Sequence, residues 1–133
     1  MHVAPSSAFR VAFVSPGYEN LGIEYLSSSL KRAGFETRLF LDPMLFDESA
    51  FLQQARLAKV FSFRSEILTA LKSYNPQLVC FSVLSDNYLW ACRWAEEIRK
   101  VTSAKIIFGG VHPTSVPEKV IDHPAVDYVF VVS

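Results

Sequence analysis

The chain has 133 residues, half of them apolar and 14% aromatic, enough for one domain with a sizeable core. Thirteen Lys and Arg balance thirteen Asp and Glu, so charge gives no support for binding nucleic acid or an anionic membrane surface. No apolar run reaches the ~18 residues of a membrane span, residues 1–7 lack the apolar stretch of a signal peptide, and Cys80 and Cys92 form no metal-ligand pattern; a cytoplasmic protein with two buried thiols is expected.

After a short polar leader, residues 10–15 read as a buried strand that Pro16 and Gly17 break. From about Asn20 the apolar residues Ile23, Leu26, Leu30 and Ala33 recur on one face of a helix, with Lys31 and Arg32 in its last turn and Gly34 at a left-handed cap. A second strand follows at 36–41. Strand, tight turn, helix and strand open a parallel α/β sheet.

The stretch 42–63 is longer than a simple connection and is not polar. Asp47 can cap a helix with Phe51, Leu52, Ala55 and Ala58 on one side, an extra helical insert after strand 2. Packed on the domain edge, it is structural; alternatively Phe46, Phe51, Phe61 and Phe63 make an adhesive surface for another domain or a lid. A further helix is expected from about Arg64 to Tyr74, with Ile67, Leu68 and Leu71 inward, stopped by Asn75 and Pro76.

Residues 77–85 hold a third strand, whose first half is a continuous apolar run of the kind covered on both faces and which opens into the small hydroxyl residues Ser82 and Ser85 around Leu84. Asp86 can cap the next helix, which turns Tyr88, Ala91, Ala95 and Ile98 to the sheet. Trp90 and Trp94, four apart, lie on another flank; half burial is the ordinary reading, and exposure would argue for a docking surface. A fourth strand, 105–108, ends at Gly109 and Gly110 before Val111, His112 and Pro113. A short helix is expected near Pro117 to Ile121 and a fifth strand at 126–132.

Five strands alternating with helices fit a flavodoxin-like, doubly wound parallel sheet of order 2-1-3-4-5. Ligands of such sheets bind beyond the carboxyl ends of the strands where the winding reverses, which selects the loops starting at Ser15, Ser82 and Gly109. A response-regulator site needs carboxylates where this chain has Ser15, Pro16 and Ser82. The first turn, from Ser15 to Gly22, supplies no G-x-G-x-x-G for a dinucleotide, and Pro16, Tyr18 and Glu19 suit a flavin phosphate poorly. A large, nearly neutral cofactor with a long tail remains.

Three motifs of cobalamin-binding domains bear on that choice: D-x-H-x-x-G after the first strand, S-x-L after the third and G-G after the fourth. Ser82-Val83-Leu84 matches the second and Gly109-Gly110 the third. Gly22 matches the last glycine of the first, but Glu19 stands at the position of the cobalt-ligating His and Gly17 at that of its Asp partner. Loss of the His with retention of the other motifs resembles the amino-terminal cobalamin domain of cobalamin-dependent radical SAM proteins. Asn20-Leu21-Gly22-Ile23-Glu24-Tyr25-Leu26 and Gly109-Gly110-Val111-His112-Pro113-Thr114 are similar to that family as well.

The resemblance implies that Ser82 bonds the base at the end of the cofactor tail, that Leu84 shapes its pocket, and that Gly109 and Gly110 leave room for it. From the residues alone, the glycines also read as a tight turn before Pro113, and Ser82 as a hydroxyl satisfied by nearby backbone. A carboxylate replaces imidazole poorly on cobalt, so a bare, water-ligated or loop-covered lower face is expected, with Tyr18 or Leu21 as cover. His112 either bonds backbone, as a His before Pro does, or reaches the metal. Together with Val83, Ser85 and Val111, these residues make up the candidate cofactor site, with no catalytic residue among them.

No C-x-x-x-C-x-x-C iron–sulfur motif is present. The resemblance implies that the iron–sulfur cluster and S-adenosylmethionine belong to a radical SAM domain after residue 133, which would make this chain the cobalamin-binding part of a longer protein. The activity that the resemblance implies for that protein is transfer of a methyl group. The competing expectation is a cofactor-free interaction module that docks a partner through the 46–63 segment and Trp90/Trp94.

Overall fold

The computed structural model of the chain describes residues 9–16, 21–42, 53–83 and 87–131. In chain order these form β1 (Arg10–Pro16), α1 (Leu21–Arg32), β2 (Glu36–Asp42), α2 (Gln53–Tyr74), β3 (Leu78–Ser82), α3 (Tyr88–Val101), β4 (Lys105–Gly109), α4 (Val111–Ser115), α5 (Pro117–Ile121) and β5 (Tyr128–Val129). The strands make one parallel sheet in the order β2-β1-β3-β4-β5, the flavodoxin-like arrangement expected from the element pattern.

Right-handed crossovers that leave β1 in opposite directions put their helices on opposite faces. On one face Ala12, Val14, Val79, Phe81, Ile106 and Phe108 pack with Leu71 of α2, Ala91, Ala95 and Ile98 of α3, and Val120 of α5 in the main core. On the other, Val11 and Phe13 pack with Ile23 of α1 and with the partly buried Leu30, Leu78 and Cys80. The period-2 alternation of the strands thus serves two cores at once. Beyond β3 this second face opens: Tyr128 is 52% and Phe130 59% exposed.

The α1 stripe is only partly inward. Ile23 is buried and Leu30 half-buried, but Leu26 and Ala33 are exposed. The helix touches the sheet along its i, i+7 line, and its Ser27 hydroxyl meets Thr37 Oγ1 at 2.6 Å, so the Leu26 flank turns outward. Gly34 ends α1 at φ 97°, with the Phe35 amide donating to the Leu30 carbonyl at 3.0 Å, the left-handed cap expected of it.

Four boundaries differ from the sequence reading. Instead of two helices with a break near Arg64, α2 runs unbroken for 22 residues, because its sequence holds no Gly or Pro and is rich in good helix formers. It ends where Asn75 takes φ 53° before the buried Pro76. The N-cap of α3 is Asn87, without a side-chain capping bond, and Asp86 and Asp47 lie outside the described residues. A one-turn helix, α4, occupies what reads as a loop; Pro113 falls in its first turn, where a missing amide does no harm. Finally β5 is short, since its pairing to β4 is limited to Tyr128 and Val129 and the flanking amides of Asp127 and Phe130.

Candidate functional site

The reversal of winding lies between β1 and β3, and the residues at these strand ends fall in one row. Ser82 is the register partner of Gly109. Val14 pairs with Phe81 and Phe108 with Val129, so one step further on Ser15 stands beside Ser82 and Phe130 beside Gly109. All four belong to the α1 side, because their neighbours Val14, Phe81, Phe108 and Val129 pack into the opposite core. Across the sheet the row reads hydroxyl, hydroxyl, hydrogen, phenyl, over about 14 Å at the usual strand spacing.

The two glycines do different work. Gly110 has φ 109°, and a Cβ on it would lie 2.9 Å from both the amide nitrogen and the carbonyl oxygen of Val83 and 3.4 Å from Ser82 Oγ. Its lack of a side chain is therefore needed by the fold. At Gly109, among the described residues, a Cβ would meet only Phe130, its Cβ at 3.5 Å and its carbonyl oxygen at 4.0 Å, both ordinary contacts, so the described backbone does not require glycine there. What its hydrogen leaves is space over the sheet between Ser82 and Phe130.

The room that the resemblance implies at Gly109 and Gly110 does not come from a parting of β3 and β4 as far as Val83. The Val83 amide donates to the Gly109 carbonyl at 2.7 Å, which carries the β3–β4 pairing one residue past Ser82. Val83 is fully buried and belongs to the opposite core, so its side chain is structural. Ser15, Ser82 and Gly109 stand on the α1 side of the sheet. Ser15 Oγ is buried with no hydrogen-bond partner among the described residues, a donor and acceptor left over at a strand end. One step down the same face lies Cys80, whose thiol is pushed up to about 12 by burial and is thus inert.

Of the other residues singled out from the sequence, Gly22 is exposed in the first turn of α1. Pro16 and Leu21 supply the backbone that ends β1 and begins α1, and Val111 and His112 the backbone that begins α4. Gly17, Tyr18, Glu19, Leu84 and Ser85 lie outside the described residues. Sequence reasoning did not single out Phe130, because only the register of the short β5 sets it beside Gly109. Among the described residues no group of three His, Cys, Asp or Glu side chains converges as a metal site, and no helix is long and apolar enough to cross a membrane.

The Trp pair has a different purpose from docking. Trp94 is 2% exposed and Trp90 half-buried, and both indoles donate to one oxygen of the buried Asp42, Trp90 at 2.8 Å and Trp94 at 2.7 Å. They anchor the end of β2 to α3. With Trp94 buried and Trp90 half-buried, that pair offers the interaction-module reading no exposed docking surface; the side chains of Phe46, Phe51, Phe61 and Phe63 lie outside the described residues.

The sheet thus carries two hydroxyls, Ser15 and Ser82, side by side where its winding reverses. The model of the B12 binding domain matches residues 10–133. The chain belongs to the B12-binding domain family. As a B12-binding domain it is similar in fold to the radical S-adenosylmethionine methyltransferase TsrM from Kitasatospora setae with cobalamin and a 4Fe-4S cluster bound, at 17% identity and a TM-score of 0.68. The same enzyme with tryptophan substrate and the SAM analogue aza-SAM bound matches at 19% identity and a TM-score of 0.64. In both cases the match covers 92% of this chain and 23% of that one, so this domain spans about a quarter of the length of TsrM.

A complex of the histidine kinase ThkA with the response regulator TrrA also matches, with 22% identity, a TM-score of 0.56, and coverage of 94% of this chain and 86% of that one. That likeness is of fold alone, since Ser15 and Ser82 end the strands here. No curated protein sequence matches the chain.

Proposed function

We propose that this B12-binding domain holds cobalamin with its nucleotide tail over the ends of β3 and β4 on the α1 side, without a histidine beneath the cobalt, as one part of a radical SAM enzyme of the methyltransferase class. The observation that carries the reading is the register of Ser82 with Gly109 beside the buried Ser15 hydroxyl, which has no hydrogen-bond partner among the described residues. Hydroxyls at two neighbouring strand ends offer hydrogen bonds to a base or ribose, and the hydrogen of Gly109 leaves a flat ring space to lie.

The chain's own residues bind and orient. Cobalamin when bound supplies a cobalt centre able to carry an alkyl group. Ser82, Leu84 and Ser85 would grip the tail, and the turn from Pro16 to Gly22, with Gly17, Tyr18, Glu19 and Leu21, would cover the lower face in place of an imidazole. Gly110, Val111 and His112 would border the corrin from the β4 side. The iron–sulfur cluster and S-adenosylmethionine would belong to a radical SAM domain of the same polypeptide beyond residue 133, consistent with the quarter-length match to TsrM.

Gel filtration of the purified chain with hydroxocobalamin tests this reading. The expected result is a co-eluting red species at tens of micromolar with a base-off spectrum. Absence of retention beside a corrinoid-binding control would refute it. A histidine-ligated spectrum that disappears in the variant His112→Ala would overturn the axial part alone.

A further inference from the structure

We infer that Phe130, outside every motif of the site, is the far wall of the tail trough and sets the domain's preference for corrinoids that end in an aromatic base. The inference rests on the cobalamin reading above. Phe130 is the fourth member of the row begun by Ser15, Ser82 and Gly109, and it lies on their face of the sheet. Its backbone is held, because its amide donates to the Phe108 carbonyl at 2.9 Å. Its side chain is nonetheless 59% exposed, a large apolar group at the rim of a polar-floored row.

Gly109 explains why a phenyl there is useful. Phe130 Cβ lies 3.5 Å from where a Cβ of Gly109 would be, so any larger residue at 109 would fill the space beside the ring. With hydrogen at 109, a planar group lying over Ser82 and Gly109 meets the hydroxyl from one side and the ring from the other. Aromatic pairs gain from offset or edge-to-face contact beyond their buried area, whereas a corrinoid without a base has nothing to offer the ring.

The test compares hydroxocobalamin with dicyanocobinamide, which lacks the nucleotide tail, on the wild-type chain and on Phe130→Ala and Phe130→Leu, with thermal melts to verify folding. Phe130→Ala should reduce the wild-type preference for hydroxocobalamin by roughly tenfold, and Phe130→Leu by less, because the leucine keeps bulk but not the ring. An unchanged preference in Phe130→Ala, or an equal loss on both corrinoids, would overturn the role of Phe130 while leaving cobalamin binding intact. Failure of the wild-type chain to retain either corrinoid would instead remove the reading beneath it, and this inference too.

Discussion

Gly110 stands so close to Val83 that a Cβ on it would lie 2.9 Å from both backbone polar atoms of that residue, at a φ of 109°. The pair of glycines therefore divides into one the fold needs and one it does not. Gly110→Ala should lower stability by about 1–3 kcal/mol through backbone strain and the forced shift of Val83, read as a drop in Tm. Gly109→Ala should leave Tm nearly unchanged yet weaken cobalamin retention, since its methyl would enter the space over Ser82. Equal losses of Tm in both variants would contradict this division.

Asp42 takes two indole hydrogen bonds on one oxygen while buried at the end of β2. Asp42→Ala leaves the buried Trp94 donor without its acceptor and should destabilise by about 2–4 kcal/mol. Asp42→Asn retains a carbonyl oxygen and should be milder. Urea unfolding followed by tryptophan fluorescence measures both, and a neutral Asp42→Ala would show that the clamp is incidental.

Asp127 ties β5 to its neighbours, accepting the Ile106 amide at 2.8 Å and a bond from Arg99. Burial alone would raise its pKa, but the Arg99 hydrogen bond, the Ile106 amide and the charges of Arg99 and Lys105 outweigh it and hold it below the ordinary 3.8. A depressed carboxyl adds stability that is complete above the unfolded value and is lost as pH falls through the folded one. Stability should thus be insensitive to this group from neutral pH down to about 4 and fall below that. The variant Asp127→Asn should flatten that fall in urea titrations at pH 7 and pH 3; parallel curves for the two proteins would refute the assignment.

Cys80 should be chemically silent. With its thiol pushed up to about 12, roughly one molecule in ten thousand carries the thiolate at pH 8. Burial raises the Cys92 thiol too. A chromogenic disulfide reagent should label neither in the native chain and both after unfolding. Rapid native labelling would show that the face beneath the proposed trough opens readily.

The buried strands, the Gly34 cap and the inward faces of α2 and α3 were legible from local pattern, because apolar periodicity and turn chemistry act over a few residues. The winding order followed from the alternation of strands and helices. Less was legible at Leu26, which shares the apolar spacing of Ile23 and Leu30 but is exposed, since which flank of an amphipathic helix meets the sheet depends on how the helix lies across it. Trp90 and Trp94 carried no sign of their partner, for Asp42 lies on another element nearly fifty residues away.

By itself the sequence determined which side chains are present: the hydroxyl at Ser82, the glycines Gly109 and Gly110 at the end of β4, and a carboxylate, Glu19, in the first turn. Tertiary structure alone decided how these members are placed. Register across four strands joined Ser15, Ser82, Gly109 and Phe130 in one row, and the approach of Val83 made Gly110 a structural glycine and left Gly109 the open one. Such distinctions arise between strands, where a spacing of about 4.8 Å brings together residues that no local pattern relates.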